Sequence, residues 1–254
     1  MRKLTVMLLA TLVACSGTEP PAGPSAESSA PTLRELYACN FVAGKGMSDL
    51  EDARDFLVEQ IAQIGSADLD NMESFLWTPY KARTEYDFLW FNQYESIAAF
   101  GRAETALADR AAAVNAKFGE VVSCNSSLSM RQQIYDGGAD VVTGDRALLE
   151  TYACTLNPGK NMDDVTAAID HWRGVVSGID GFKNYDAYMA TPYIANTPID
   201  LFYLGVHDDV SDFAAHTTAY LDSAGAAEAD RRFAEVHDCE SGLWWGRIMI
   251  GSAG

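Results

Sequence analysis

From Leu36 to Val42 apolar and polar positions alternate, the period-two signature of a strand. The period then changes. Leu50, Ala53, Leu57, Ile61 and Ile64 recur at helical spacing, with Ser48 placed as N-cap and Glu51 three residues on to close a capping box. Phe75 to Lys81 and Asp87 to Tyr94 return to strand character. Ile97 to about Ala116 is an Ala-rich helix, and a fourth strand starts at Glu120 and runs into Leu128 and Met130. The same order then returns. After a strand at Tyr152, Asp163 is placed to cap a helix whose apolar stripe is Val165, Ala168, Trp172, Val176 and Ile179. Each half reads βαββαβ.

The two halves are copies of one pattern. Tyr37-Ala38-Cys39 returns as Tyr152-Ala153-Cys154, 115 residues later, followed in each case by Gly-Lys, Met and Asp (Gly44, Lys45, Met47, Asp49; Gly159, Lys160, Met162, Asp164). Thr78-Pro79-Tyr80 returns as Thr191-Pro192-Tyr193 at an offset of 113, as do Asp87 at Asp200 and Phe100 at Phe213. Phe118, Val121 and Cys124 return as Phe233, Val236 and Cys239, again at 115. A two-residue length difference therefore falls in or beside the second helix. Matches in one order along a whole unit mark a tandem duplication.

The order βαββαβ is the ferredoxin-like unit, so the expected fold class is α+β, with two ferredoxin-like repeats. Its sheet order, 4-1-3-2, makes the first and last strands antiparallel neighbours. Pro79 and Pro192 fall on strand 2, an edge of the unit, where a missing N–H is tolerated.

The N-terminus has a different character. Arg2 and Lys3 precede an apolar run from Leu4 to Val13, too short to span a bilayer as a mature helix. Leu12-Val13-Ala14-Cys15 resembles the lipobox of bacterial lipoproteins. That resemblance implies a signal peptide over 1–14, cleavage before Cys15 and lipidation of Cys15. Ser16 in place of Asp implies an outer-membrane address facing the periplasm if the cell is Gram-negative. Residues 15–32, rich in Pro, Ser, Ala and Gly, read as a flexible tether. Residues 33–136 then form the first repeat, 137–148 a linker and 149–254 the second repeat. The expected localisation is the cell envelope, anchored to the membrane through the N-terminal lipid.

Net charge is −18, and loss of Arg2 and Lys3 makes the remainder more acidic. That excludes a basic face for nucleic acid or anionic lipid heads. Of five cysteines, one is claimed by lipid and four stand at equivalent positions, two per repeat. In an oxidising compartment they predict the disulfides Cys39–Cys124 and Cys154–Cys239, each tying the first strand of a repeat to its last. A zinc site is the rival, but no C-x-x-C or His/Cys spacing supports it, so no metal is expected.

Two such units in one chain, over residues 33–254, resemble the dimeric α+β barrel superfamily. It includes antibiotic-biosynthesis-type monooxygenases and the haem-bearing chlorite dismutase group. The resemblance implies a pseudo-dimeric barrel within one chain, hence a monomer, with helices outside and a ligand inside. No catalytic motif of those families transfers, and no cofactor motif occurs, so the cofactor is unknown.

Alternation gives the expected lining. Tyr37, Cys39 and Phe41 share the helix-facing side of strand 1, with Val122 and Cys124 on strand 4. Asn40, and Thr155 in the second copy, take the opposite face, as do Asp238 and Glu240 on the last strand. Trp90, Asn92 and Tyr94, with Tyr203 and His207 in the second copy, are assigned to the interior. That combination of aromatic and polar groups suits a small-molecule pocket. All four histidines (His171, His207, His216 and His237) lie in the second copy, so any site is asymmetric. His207, with Asp238 or Glu240 nearby, is the candidate general base. His216 lies on the apolar stripe of the second helix, as a core histidine would. Lys45 and Lys160 lack P-loop spacing and read as solvated.

Three functions fit. The first is a lipid-anchored protein binding a small, partly aromatic molecule. The second is a cofactor-independent monooxygenase- or isomerase-like enzyme with His207 as base. The third is a structural or interaction lipoprotein with a packed barrel.

Overall fold

The computed structural model describes residues 30–137, 146–195 and 197–251. The lipobox, Cys15 and most of the tether lie outside these residues, as does most of the expected linker. Each repeat supplies four strands: β1 (Thr32–Phe41), β2 (Glu73–Pro79), β3 (Phe88–Tyr94) and β4 (Val122–Asp136), then β5 (Ala147–Leu156), β6 (Asp186–Ile194), β7 (Leu201–His207) and β8 (His237–Ile250). They close into one antiparallel barrel in the order β1-β3-β2-β8-β5-β7-β6-β4. The order 4-1-3-2 holds within each repeat. β2 pairs with β8 and β4 with β6, so each repeat's last strand is bonded to the other repeat. The proline-bearing strands are thus seams, not free edges. Pro79 ends β2 opposite Trp244, and Pro192 stands opposite Ser129.

The helices lie outside the barrel. They are α1 (Met47–Ile64), α2 (Ala67–Asp70), α3 (Ile97–Gly119), α4 (Met162–Val176), α5 (Val210–Leu221) and α6 (Ala226–Val236). Among the described residues no helix is long and apolar enough to cross a membrane. Leu50, Ala53, Leu57 and Ile61 are the buried stripe of α1, and Val165, Ala168 and Val176 serve α4.

Both expected caps sit two residues too late. Gly46 caps α1, with Asp49 accepting from its N–H, and Asn161 caps α4 by accepting from the N–H groups of Asp163 and Asp164. Gly44 and Gly159 both stand at φ 82°, where a side chain would be strained, and turn the chain into these helices. Lys45 and Lys160 pair with Asp49 and Asp164 four residues on.

The two-residue length difference shows as a break. α3 runs unbroken for 23 residues, whereas its counterpart is split into α5 and α6 around Ser223–Gly225.

Both disulfides are formed, Cys39–Cys124 and Cys154–Cys239, each between residues directly opposite on paired strands. Tyr37, Cys39 and Phe41 face the helices as expected.

The strand-3 assignment is corrected. Leu89, Phe91, Leu204 and Val206 point into the barrel, where they pack with Trp77, Leu149 and Trp244. Trp90, Asn92, Tyr94, Tyr203 and His207 face the helices instead. β3 is buried on both sides, so Phe88 to Phe91 is apolar at every position and alternation carries no sign there. Around these side chains the middle of the barrel is a packed core.

Candidate functional site

Space exists outside the barrel wall. Each repeat encloses a cavity between its sheet and its helices, of about 530 Å³ in the second and 420 Å³ in the first. β5, β7 and β8 form the floor of the larger one through Glu150, Tyr152, Tyr203, His207 and His237. The helical side supplies Trp172, Phe182, His216, Tyr220 and Phe233, the last from the segment made separate by the helix break. Gly205 on β7 is required here. A Cβ there would come within 2.6 Å of the Tyr185 Oη, so only glycine admits the buried Tyr185 ring.

A chain of polar groups crosses this floor. Tyr152 donates to Glu150 Oε1. Glu150 Oε2 lies 3.7 Å from His207 Nε2. His207 Nδ1 is 3.0 Å from His216 Nδ1, and His216 Nε2 is 3.3 Å from the carbonyl of Lys183. A carbonyl only accepts, so His216 carries its proton on Nε2. Burial, reinforced by His207, lowers the His216 pKa and keeps that ring neutral. Its Nδ1 is therefore a bare acceptor, and His207 must donate from Nδ1. A neutral His207 then presents a bare Nε2, which is buried and has no hydrogen-bond partner. A lone pair facing a carboxylate is repulsive. His207 Nε2 is thus left facing Glu150 without a hydrogen-bond partner.

This constellation corrects the expected one. Glu150, not Asp238 or Glu240, is the carboxylate beside His207. Glu240 is exposed opposite Ala153, and Asp238 sits exposed at the cavity rim opposite Thr155. Asn40 accepts from the N–H of Asp87, and Thr155 donates to the carbonyl of Pro198, so both tie strand ends at the barrel mouth. His216 is not an isolated core histidine but the partner that orients His207. His237 accepts from Tyr203 or donates to it through Nε2, with Nδ1 3.1 Å from the Cys239 sulfur. His237, Cys154 and Cys239 would otherwise resemble a metal-ligand set, but both sulfurs are held in the disulfide.

Glu150 has a counterpart that was legible. Glu35 precedes Tyr37 as Glu150 precedes Tyr152, and Tyr37 donates to Glu35 in the same way. In the first repeat Asn92 donates to Glu35 Oε2 and accepts from Trp90 and Ser74, which completes the network. The second repeat has Gly205 in place of Asn92 and His207 in place of Tyr94. The first cavity is satisfied; the second carries an unpartnered imidazole nitrogen.

The lowered pKa values of His216 and His237, both caused chiefly by burial, set a pH dependence. Each ring is neutral in the fold but protonates near pH 6.5 when unfolded. Stability present at pH 7 should therefore fall as pH drops through about 6.5 towards the folded-state values. Replacing His216 by Gln should flatten that part of the profile in thermal unfolding; an unchanged slope would show that His216 titrates normally.

No family model and no curated protein matches this sequence. Solved structures do match its fold. A candidate monooxygenase from Fusobacterium nucleatum aligns with TM-score 0.54 and 11% identity, covering 87% of this chain and 93% of that one. A chlorite dismutase variant from Candidatus Nitrospira defluvii aligns with TM-score 0.53 and 8% identity, covering 88% and 93%. The fold is that of the dimeric α+β barrels. An anthrone oxidase-like protein aligns with TM-score 0.50 and 13% identity over 90% and 97%. At these identities the likeness concerns the barrel and its helices, not the side chains of the site.

Proposed function

We propose that this chain is a lipid-anchored cell-envelope protein that binds a small, partly aromatic molecule in the sheet–helix cavity of its second repeat. The observation that carries this reading is the buried, unpartnered Nε2 of His207 beside Glu150, in a cavity walled by aromatic rings. A polar group buried without a partner is unfavourable unless something completes it. Glu150, Asp230 and Asp238 are the ionisable carboxyl groups of the lining, and no lysine or arginine is among the lining residues. A neutral or cationic ligand therefore fits better than an anion.

Haem, implied by the likeness to the chlorite dismutase group, does not fit these residues. An imidazole is present, but no cation lines the cavity to hold two propionates, and its carboxylates would repel them.

A second reading is favoured by the bare Nε2 of His207 beside Glu150. That nitrogen can take a proton from an acidic C–H or O–H of the bound molecule and return it, as a cofactor-independent oxygenase or isomerase requires. His216 holds His207 in the tautomer that leaves Nε2 free for this. The monooxygenase-like neighbours are compatible with this reading through fold alone.

The test is native mass spectrometry of protein purified from its own cell envelope. A retained molecule, lost when the half-buried lining residue Thr217 is replaced by Trp to fill the cavity, is expected. Protein that is isolated empty and binds nothing from an aromatic ligand panel would overturn the proposal.

A further inference from the structure

Apart from Thr151, which accepts from Trp244, the buried middle of the barrel is apolar, and polarity gathers at the end where β1 begins. There two arginines point inward. Arg34 is 6% exposed, with its guanidinium 4.8 Å from the Phe91 ring centroid and 5.4 Å from that of Trp77. Arg131 lies 3.5 Å over the Tyr188 ring and donates to Gln93 Oε1. Among the described residues neither arginine is in an ion pair, and the Nε of each is buried without a hydrogen-bond partner. Glu73 and Asp186 are the carboxylates that act on Arg131, but Glu73 accepts from Gln93 and Asp186 from Tyr188. The two guanidiniums face each other closely enough that Arg131, after burial itself, is the main influence lowering the Arg34 pKa.

Arginine does not shed its proton in proteins, so two like charges are taken out of water together, with the nearby Glu73 and Asp186 bonded to other groups. The scaffold does not need them. The internal pseudo-symmetry places Leu149 where Arg34 stands, Gly246 where Arg131 stands and Val206 where Gln93 stands, in the same strand register. There Leu149 fills the space over Gly246 with carbon: a Cβ on that glycine would meet Leu149 Cδ1 at 2.7 Å. One repeat closes its end of the barrel with a leucine; the other spends two buried cations in the equivalent place, in a chain of net charge −18.

We propose that Arg34 and Arg131, with Gln93, form a binding site for a small oxyanion inside the barrel, separate from the sheet–helix cavity of the second repeat. The fork of each guanidinium suits a carboxylate or a phosphate oxygen pair. The aromatic faces of Trp77, Phe91 and Tyr188 hold the cations in position and favour an anion with a flat apolar body.

The test is thermal unfolding at fixed ionic strength in Tris and potassium chloride, titrated separately with benzoate and with inorganic phosphate. A saturable rise in Tm is expected with at least one probe. Benzoate alone indicates an organic carboxylate; phosphate alone indicates an inorganic oxyanion or phosphate ester. Arg34→Leu should weaken the response at least tenfold, and His207→Ala should leave it intact. Should Arg34→Leu fail to fold, Arg131→Gln read by calorimetric titration gives the same comparison. The proposal is overturned if neither probe gives a saturable shift, or if the shift survives in the arginine variants.

Discussion

Replacing Cys154 and Cys239 together by alanine should lower the unfolding free energy by about 4–5 kcal/mol. The bond closes a loop with a sequence separation of 85, and the chain-entropy account assigns a stabilisation of that order to such a loop. The effect is large against a total domain stability of roughly 5–15 kcal/mol. Cys39–Cys124 closes a loop of the same separation and should act similarly. Losing both should leave the barrel unfolded or nearly so at ordinary temperature. Urea unfolding of the alanine pairs, compared with the oxidised parent, measures this. A loss below about 1 kcal/mol per pair would mean that the chain-entropy account does not hold for this barrel.

The second large effect concerns chemistry. On the acid–base reading, His207→Ala should reduce turnover of the cavity's ligand by about 10²–10⁴-fold, the usual contribution of a positioned acid–base group. Affinity should change far less, because the aromatic walls stay in place. Glu150→Gln should give a similar loss by removing the carboxylate beside His207 Nε2. Tyr152→Phe removes one hydrogen bond to Glu150 and should have a smaller effect. Retained turnover in His207→Ala would remove His207 as the base; ligand binding without turnover in the parent would leave a binding protein.

Much of the architecture was legible because period and repetition are cheap to read. The strand and helix order, the sheet order 4-1-3-2 and both disulfides follow from alternation, helical stripes and matched cysteines. The helix caps fall two residues earlier than Ser48 and Asp163 because the turns at Gly44 and Gly159 begin the helices sooner, α1 at a glycine with no side chain to signal it and α4 at Asn161, itself a good cap. The site was misread for a more basic reason. Alternation separates two faces only when one is wet, and Phe88 to Phe91 is dry on both. Asn92 and Tyr94, with His207, were carried to the wrong side by that ambiguity. Glu150 was missed although its counterpart Glu35 stands at the matching place, two residues before the matched tyrosine. Arg34 and Arg131 were hidden differently. Charged residues on a strand ordinarily face water, so neither position carries a sign of burial.

The reciprocal seams, β2 with β8 and β4 with β6, also bear on how such a protein can change. In a two-fold homodimer every substitution is made twice, once in each subunit, and a site must tolerate its own mirror. Here the same closed ring is drawn from a single polypeptide, so a substitution occurs once. One half can keep a closed, self-satisfied pocket with Asn92 and Tyr94 while the other trades them for Gly205 and His207. One end of the barrel can carry Arg34 while its counterpart is plugged by Leu149. Joining the halves thus grants each the freedom to specialise while the other preserves the ring.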